Sequence, residues 1–400
     1  MQSNVLEKLQ RFASERRGRI LLVIAILVLS LIVKLLLFHY HGYHVDEGTF
    51  KAWYNIAADN GLRNFYDSTW CDYPPFSVYI FWIFGNLAHA MGPDSLDFLI
   101  KLPQNLFDLA TAYLIFCFVR SRFSFLQALC AMAIYAFNPA TIFDLAVWGQ
   151  FDSIPTFFVL LTVYAFIRNQ ALKGSIWAGI SILFKHYAAF LLPFMLLTQK
   201  IMSALKYLLI TIGVVAVVCL PYIINSANRF FYWSITSLLT RPEDLGLMML
   251  SPHNKILKII FLLIFLILYF YLIWRFLKKS DKSAGEIIQY SILATLLIYA
   301  LVMFHSQFII LILPLLAIYF AINRDWASKT FYWFATLFST GIIMLGCWRI
   351  FTQDLPITPN FYYFGIAWDK VYNIAVPIAG LILFLIILLR KGRSEKVFQE

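Results

Sequence analysis

The sequence predicts an all-α integral membrane protein, a bundle of about 12 transmembrane helices with a long first outer loop that contains amphipathic surface helices. Three observations support this fold class. Hydrophobic residues make up 61% of the 400 residues, charged residues only 13%, and the mean hydropathy is +0.76. Apolar runs of about 20 residues, the length that crosses a bilayer, recur along the chain. No linker or low-complexity tract divides them, so we expect a single polytopic domain over residues 1–400.

The N-terminal segment is predicted to precede an uncleaved first span. The apolar run 20–38 is long enough to cross the membrane and lacks a small-x-small cleavage site. Basic residues before it place the N-terminus inside: Lys8, Arg11, Arg16, Arg17 and Arg19. The five cysteines show no CxxC or Cys/His spacing, so neither a zinc site nor a disulfide framework is expected.

Positive charge sets the expected topology. Most Lys and Arg residues fall in cytoplasmic loops if the segment 76–92 lies along the outer surface or re-enters, and if 174–199 forms two short helices. Both termini are then cytoplasmic, and the polar-rich segments all lie on the outer side. The further spans are predicted at 102–119, 125–141, 153–168, 174–186, 188–199, 206–225, 256–275, 286–303, 306–323, 330–348 and 373–390.

A competing topology lets 76–92 cross the membrane and makes 174–199 one helix. It places the basic turns at 120–122 and 168–173 outside, and it buries Lys185 in mid-membrane at a cost of about 2.5 kcal/mol or more. We therefore favour the twelve-span topology. The net charge of +11 then reflects basic loops facing anionic lipid, and nucleic acid is not an expected partner.

The segment 44–75 is the longest stretch with substantial polar content. Its first two acids, Asp46 and Glu47, open a helical pattern that places Phe50 and Trp53 on one face. An aspartate at a helix start is often an N-cap, and a capping role and a catalytic role can coexist. Asp46 is the leading candidate for a reactive carboxylate and Glu47 is its nearest rival. The acids of the segment are Asp46, Glu47, Asp59, Asp67 and Asp72.

Two short motifs stand beside predicted spans. Asp72-Tyr73-Pro74-Pro75 stops an incoming helix and starts the next one, since proline is tolerated in a first helical turn. Trp148-Gly149-Gln150-Phe151-Asp152-Ser153 ends in a conventional helix start with Pro155. Aromatic faces, planar amides and carboxylates in such a turn also suit a sugar or phosphate subsite.

Ionisable residues inside apolar segments are functional candidates by default, with a structural ion pair as the alternative. Asp108, Lys185 and His186 belong to this group. Lys34 is expected to extend its ammonium to an interface. A lone His305 at a helix start is more often structural. Outer cations suit a lipid phosphate, and the candidates are Arg229, Arg241, Lys255, Lys258 and Arg349.

The order of the motifs resembles a known group. They are Phe50-x-x-Trp53, Gly61-Leu62, Phe65-Tyr66, Asp72-Tyr73-Pro74-Pro75, Asp108, Asn138-Pro139, Trp148-Gly149-Gln150-x-Asp152-Ser153 and Lys185 with Pro193. Together they resemble the C superfamily (GT-C) of polytopic glycosyltransferases, which use polyprenyl-phosphate sugars. Within it they look most like the bacterial and archaeal mannosyltransferases related to GPI mannosyltransferase II. The Asp-Tyr-Pro-Pro element is also similar to that of the dolichyl-phosphate-glucose glucosyltransferases.

The resemblance covers about residues 44–200, and the second half agrees in layout. Relatives often carry His-Glu-Arg-Tyr where this chain has His305-Ser306-Gln307-Phe308, which leaves the donor-phosphate contacts open. We expect a GT-C-like bundle in which residues 1–225, with the outer loop 39–101, hold the catalytic module. Residues 226–400 would add the outer loop 226–254 and the C-terminal helices.

The resemblance implies transfer of a sugar, with mannose as the family-level expectation, from a polyprenyl-phosphate donor to a glycan or lipid acceptor at the outer face. Asp46 would be the general base of an inverting reaction. A second carboxylic acid, as in glycosidases, is not needed, because a polyprenyl phosphate is already a good leaving group. The residues expected to bind donor or acceptor are Trp53, Asp72, Tyr73, Asp108, Trp148, Gln150, Asp152, Lys185, His186, Arg241 and His305. No cofactor is expected, and a divalent metal is left open but has no support in the sequence.

Two alternatives remain. A transporter or flippase of lipid-linked glycans predicts polar groups at the bilayer midplane and an internal repeat. A non-catalytic scaffold leaves the outer motifs without a purpose. The expected location is the cell membrane, or the endoplasmic reticulum membrane in a eukaryote.

Overall fold

The computed structural model describes residues 15–236, 255–302, 306–323, 326–346, 362–363 and 366–389. Within them the chain is almost entirely helical. The helices in chain order are α1 (Arg16–Leu37), α2 (His44–Ser68), α3 (Pro75–Met91), α4 (Leu96–Arg120), α5 (Phe125–Ala136), α6 (Pro139–Ile142), α7 (Ser153–Ile167), α8 (Ala171–Ile182), α9 (Tyr187–Leu196), α10 (Ile201–Phe231), α11 (Lys255–Leu277), α12 (Ala284–Leu301), α13 (Ile309–Asn323), α14 (Trp326–Gly346) and α15 (Trp368–Leu389). Two-residue strands at Tyr362–Tyr363 and Ile366–Ala367 pair antiparallel.

The prediction of an all-α polytopic membrane protein is confirmed. Among the described residues, five helices are long and apolar enough to cross a membrane, or six if a bent pair counts as one span. The five are Arg16–Leu37, Pro93–Arg120, Ile201–Ser234, Ile259–Leu277 and Ala284–Leu301. Several other apolar helices are shorter than the roughly 20 residues that span a bilayer. The count of about twelve spans therefore stays a prediction.

The predicted span at 125–141 is not one straight helix, because the chain breaks at residues 137–138. Pro139 cannot donate to a helix ladder, and the Asn138 side chain instead accepts the backbone N–H of Ala140 at 2.9 Å. The two halves, Phe125–Ala136 and Pro139–Trp148, are bent by 45°. The second half ends in a π-helical stretch, Phe143–Trp148, so the segment between the predicted spans 125–141 and 153–168 is partly helical.

The expectation of two short helices at 174–199 is confirmed in outline. α8 and α9 are separated by residues 183–186, which include Lys185 and His186. By contrast, the helix predicted at 206–225 is longer: α10 runs over Ile201–Phe231 and contains one non-helical residue, Ser226.

The expectation that Lys34 reaches an interface is wrong. Its side chain is fully buried and forms an ion pair with Asp108 of α4, which is also fully buried. Lys34 lies four residues after Ser30, whose hydroxyl donates to the Ala136 carbonyl at 2.7 Å. This helical spacing places both polar groups on the face of α1 that packs inward. The lysine therefore pairs with the Asp108 carboxylate and does not reach water.

α2 and α3 pack on each other and form one layer. They approach so closely that a Cβ at Gly85 would lie 2.2 Å from the Tyr54 carbonyl oxygen. Inward-facing residues of α3 recur at helical spacing, and they are Ser77, Val78, Phe81, Gly85 and Ala88. The start of α3 is fixed to the break between α8 and α9, since the Phe76 N–H donates to the Leu183 carbonyl at 3.0 Å. This layer brings residues 44–75 next to Lys185.

Candidate active site

Asp46 lies in the first turn of α2 and is held by two side chains from a distant part of the chain. The Trp148 indole N–H donates to Asp46 Oδ2 at 3.0 Å, and the Gln150 amide donates to the same oxygen at 2.7 Å. Asp46 is half-buried. The N-cap position of α2 belongs to Tyr43, so the interpretation of Asp46 as the N-cap is wrong. The structure thus joins three of the predicted site residues around one carboxylate.

Residues 148–150 owe their position to irregular backbone. The π-helical stretch ends at Gly149, whose φ of +77° favours glycine. The Gln150 N–H then donates to the Asp144 carbonyl at 3.1 Å. Asn105 of α4 holds the same stretch through a bond from its amide to the Leu145 carbonyl at 3.0 Å. π-Helical insertions are frequent at functional sites because they turn side chains out of the regular helical register.

Lys185 forms the second part of the site. Its ammonium lies 2.8 Å from Asp152 Oδ1, and the lysine side chain is 13% exposed while the aspartate is 1% exposed. The ammonium also lies over three aromatic rings, at 5.0 Å from the centroid of Tyr73, 5.3 Å from Phe308 and 5.8 Å from Tyr187. A cation in such a setting is oriented by its partners. Asp152 stands at the N-cap position of α7 without a side-chain capping bond.

Tyr73 connects the two parts. Its ring is buried among aromatic residues, and its backbone carbonyl accepts the Tyr66 hydroxyl at 2.6 Å. Burial raises the pKa of the Tyr73 hydroxyl well above its ordinary value. The negative charges that raise it further belong to Asp152, Asp72 and Asp46. Tyr73 is therefore a neutral hydroxyl among three carboxylates.

Glu47 points into a different cluster. Its carboxylate lies 2.8 Å from His41 Nδ1 and 3.1 Å from the Lys51 ammonium. Burial opposes ionisation of Glu47, but the bonds and charges of His41 and Lys51 outweigh it and lower the pKa of the carboxyl. His41, Glu47 and Asp97 are close enough to hold a metal ion, yet the Lys51 ammonium already lies 2.7 Å from Asp97 Oδ1. Glu47 is thus engaged by cations of the protein itself.

The other predicted site residues are distributed as follows. Trp53 is buried, and its indole N–H donates to the Trp70 carbonyl at 2.7 Å, so it supports the layer from within. Asp72 and His186 lie near one another, since the charge of Asp72 acts on the imidazole. Asp108 is enclosed with Lys34 and accepts the Tyr135 hydroxyl at 2.8 Å.

Several predicted cations cannot be compared with this site. Arg241, His305 and Arg349 lie outside the described residues, as do most of the predicted outer loop 226–254 and most of the segment 349–372 between the last two predicted spans. Arg229 is described, and its guanidinium donates to the Asp67 carbonyl at 2.6 Å. That contact ties the end of α10 to α2.

Two ionisable groups near the site, Asp144 and Lys101, are not among the site residues predicted from the sequence. Asp144 is fully buried on the π-helical stretch, and neither carboxyl oxygen has a hydrogen-bond partner among the described residues. Lys101 is buried on α4 and contacts the chain just before Asp46. Each of the two could have been recognised in the sequence as an ionisable residue at the edge of an apolar run. The aromatic partners Tyr187 and Phe308 carried no comparable signal.

One family model matches part of the chain. The model for dolichyl-phosphate-mannose-protein mannosyltransferases matches residues 72–224, which is less than half of the sequence. No curated protein matches the chain. The matched segment begins at Asp72 and includes Asp108, Trp148–Asp152 and Lys185, but not Asp46. The alternatives of a transporter or scaffold gain no support from this match.

The matched family belongs to the superfamily that the motif order resembles, so the resemblance is confirmed at that level. The helical membrane fold agrees with it. Together these findings support a glycosyltransferase of the C superfamily, on the evidence of the matched segment 72–224; that superfamily consists of polytopic membrane enzymes that transfer a sugar from a polyprenyl-phosphate donor.

Proposed function

We propose that this protein transfers a hexose, mannose in the first instance, from a polyprenyl-phosphate donor to a hydroxyl of a glycan or lipid, with inversion and with Asp46 as general base. The single observation that carries this proposal is the fixed, half-buried Asp46 carboxylate, which receives hydrogen bonds from Trp148 and Gln150. A base must be oriented toward the proton that it removes, and two donors on one oxygen supply that orientation.

The proposed reaction has one displacement step. The acceptor hydroxyl gives its proton to Asp46 while its oxygen attacks the anomeric carbon of the sugar. The bond from that carbon to the phosphate oxygen breaks, and the electron pair leaves with the polyprenyl phosphate. Attack from the face opposite the phosphate inverts the anomeric configuration.

Lys185 is the proposed partner of the leaving phosphate. Negative charge accumulates on the phosphate as the bond breaks, and a fixed ammonium stabilises that charge in the transition state. Asp152 and the ring of Tyr73 hold the ammonium in place, while 13% exposure of the lysine leaves part of it accessible. Tyr73, which stays protonated, is a suitable hydroxyl donor to the same phosphate or to the sugar.

The helix α3 suits the isoprenoid tail. Its inward face packs on α2, and its other face exposes Trp82, Ile83 and Leu87. An apolar helix surface beside the site gives the tail a place to lie while the phosphate remains at the interface.

The assay uses the full-length protein in lipid vesicles with radiolabelled polyprenyl-phosphate-mannose, and a membrane extract of a deletion strain as the source of unmodified acceptor. Asp46→Asn is expected to lower turnover by at least about 100-fold, the usual contribution of a general base. Glu47→Gln is the matched control, because Glu47 is the adjacent acid and is engaged by His41 and Lys51.

Three outcomes would overturn parts of the proposal. Undiminished turnover of a folded Asp46→Asn variant would remove Asp46 as the base, and loss of turnover in Glu47→Gln alone would transfer that role to Glu47. Movement of labelled glycan across the vesicle without covalent transfer would identify a transporter. Parallel assays with glucosyl, galactosyl and pentosyl donors test the assignment of mannose.

The proposed location of the site is the outer face of the cell membrane, with both termini cytoplasmic. A cysteine placed at the exposed His44 of an otherwise cysteine-free protein would react with an impermeant maleimide on intact cells. A cysteine at the exposed Leu172 would react only after lysis. The reverse pattern would overturn this orientation.

A further inference from the structure

Lys101 has an unusual position for a lysine of a membrane helix. It lies near the start of α4 and is only 4% exposed. Its ammonium lies 2.9 Å from the Phe38 carbonyl oxygen and 2.5 Å from the Tyr40 carbonyl oxygen. Phe38 is the C-cap of α1. The ammonium therefore binds the carbonyl group at the C-terminus of α1, where positive charge is favoured, and a second carbonyl in the turn that follows.

The stem of the same side chain lies against the other half of the Asp46 site. A Cβ added at Gly149 would lie 3.5 Å from Lys101 Cγ and 3.9 Å from its Cε. Gly149 stands between Trp148 and Gln150, the two residues that donate to Asp46. The Lys101 stem thus lies beside the backbone that carries both donors, at the distance that one added carbon would bridge.

The turn held by the ammonium also contacts Trp148 directly. A Cβ added at Gly42 would lie 2.6 Å from the Trp148 Cα, so residues 40–42 pack against the tryptophan backbone without space for a side chain. Asp46 follows four residues later, in the first turn of α2. The Asp46 carboxylate and the two side chains that donate hydrogen bonds to it are consequently carried by two segments that meet at Lys101.

We propose that Lys101 is a positioning residue for Asp46. It fixes the turn at residues 38–42 against residues 148–150, and in this way it sets the place of the Asp46 carboxylate relative to Trp148 and Gln150. This inference rests on the proposed function, because Lys101 would affect turnover only through the position of Asp46 as the general base. The alternative is that Lys101 only joins α1 to α4 and contributes to stability.

The test compares Lys101→Met with Lys282→Met in the vesicle assay with polyprenyl-phosphate-mannose. Lys282 is a matched control, because its ammonium also donates to a backbone carbonyl, that of Leu197 at 2.7 Å, but outside the site. The measurements are the kcat, the donor KM, the pH dependence of kcat and the melting temperature of each variant. Asp46→Asn serves as the reference for the loss of the base.

For Lys101→Met we expect kcat to fall by about 10-fold with the donor KM unchanged within about 2-fold, as for an interaction that acts in the transition state. We also expect the acidic limb of the pH–rate profile to move to higher pH, since displaced donors stabilise the carboxylate less. Lys282→Met should retain the wild-type profile. Lys101→Arg keeps a cation with several donors, so it should restore more of kcat than Met does.

An unchanged pH profile in Lys101→Met, or an equal fall in kcat in Lys282→Met, would overturn the positioning role and leave the proposed function intact. Full activity of Asp46→Asn would overturn the proposed function, and the role of Lys101 with it. If Lys101→Met does not fold, Lys101→Gln decides: it keeps a hydrogen-bond donor but loses the charge, so it should still shift the acidic limb, and a wild-type limb in folded Lys101→Gln would overturn the inference.

Discussion

Lys34 of α1 and Asp108 of α4 form an ion pair in which both side chains are fully buried. The second oxygen of Asp108 accepts the Tyr135 hydroxyl of α5 at 2.8 Å. The pair therefore joins the first helix, which lies outside the segment matched by the family model, to two helices inside that segment. Removing one charge of a buried pair leaves the other without compensation, whereas removing both charges is often close to neutral.

Lys34→Met is expected to lower the free energy of unfolding by about 3 kcal/mol or more, because the Asp108 carboxylate would remain buried alone. The double variant Lys34→Met with Asp108→Asn should recover much of this loss, since the amide oxygen can still accept the Tyr135 hydroxyl. Lys51→Met is the control, because its pair with Asp97 is 36% exposed and is worth about 1 kcal/mol or less. Unfolding in detergent with increasing SDS measures the differences. Equal losses in Lys34→Met and the double variant would contradict the prediction.

Trp148→Phe is expected to lower kcat by about 10-fold or more, with a small effect on the donor KM. The change keeps an aromatic ring but deletes the indole N–H that lies 3.0 Å from Asp46 Oδ2. A hydrogen bond to a charged group contributes about 1.5–3 kcal/mol. Trp177→Phe removes an indole outside the site, where the ring packs on Phe158 at 5.7 Å, and serves as the control. Equal kcat values for the two variants would show that the bond to Asp46 has no role in turnover.

The members of the site could be predicted from the sequence where the residue type alone indicates a chemical role. Asp46, Trp148 and Gln150 were singled out by residue type and by their place between apolar segments, although more than one hundred residues separate the aspartate from its donors. Their direct contact could not be predicted, because it depends on a π-helical stretch and a positive φ at Gly149 that no simple periodicity reveals.

The ion pairs show the same limit. Asp108, Lys185 and Asp152 were recognised as candidates, but the sequence could not choose among partners on different helices. In the packed structure Lys185 forms an ion pair with Asp152, and Lys34 forms one with Asp108. The inward position of Lys34 was available from its four-residue spacing to Ser30, whereas the expectation of an interfacial lysine rested on residue type alone.

Lys185→Met is expected to lower kcat/KM for the polyprenyl-phosphate donor by about 10- to 100-fold, because the leaving phosphate would lose a charged hydrogen-bond donor. A purely structural pair with Asp152 makes a different prediction. In that case Lys185→Met leaves a buried carboxylate unpaired, and the double variant with Asp152→Asn restores activity. We expect no restoration. Lys173→Met, an exposed lysine at the start of α8, is the control for surface charge. Recovery of kcat/KM in the double variant would assign Lys185 to structure alone.

The stability of the segment around α2 should depend on the ionisation of Glu47. The pKa of this carboxyl is lowered below its ordinary value of 4.5, so its ionised form is favoured in the folded protein. A group with a lowered folded pKa contributes stability that is fully present above its unfolded pKa and is lost as the pH falls through its folded pKa. The contribution of Glu47 is therefore complete above its ordinary pKa and is lost as the pH falls through the lower pKa that the carboxyl has in the folded protein.

The measurement is the difference in melting temperature between the wild type and Glu47→Gln in detergent from pH 7 down to pH 3.5. We expect the wild type to be the more stable protein at pH 7, because the neutral amide cannot form the ion pairs with His41 and Lys51. The difference should shrink as Glu47 takes up a proton. The bond to Lys51 should persist on the alkaline side, because Lys51 is desolvated by burial yet its pKa is raised by Asp97 and Glu47. A difference that stays constant down to pH 3.5 would show that the two side chains differ in packing and not in charge.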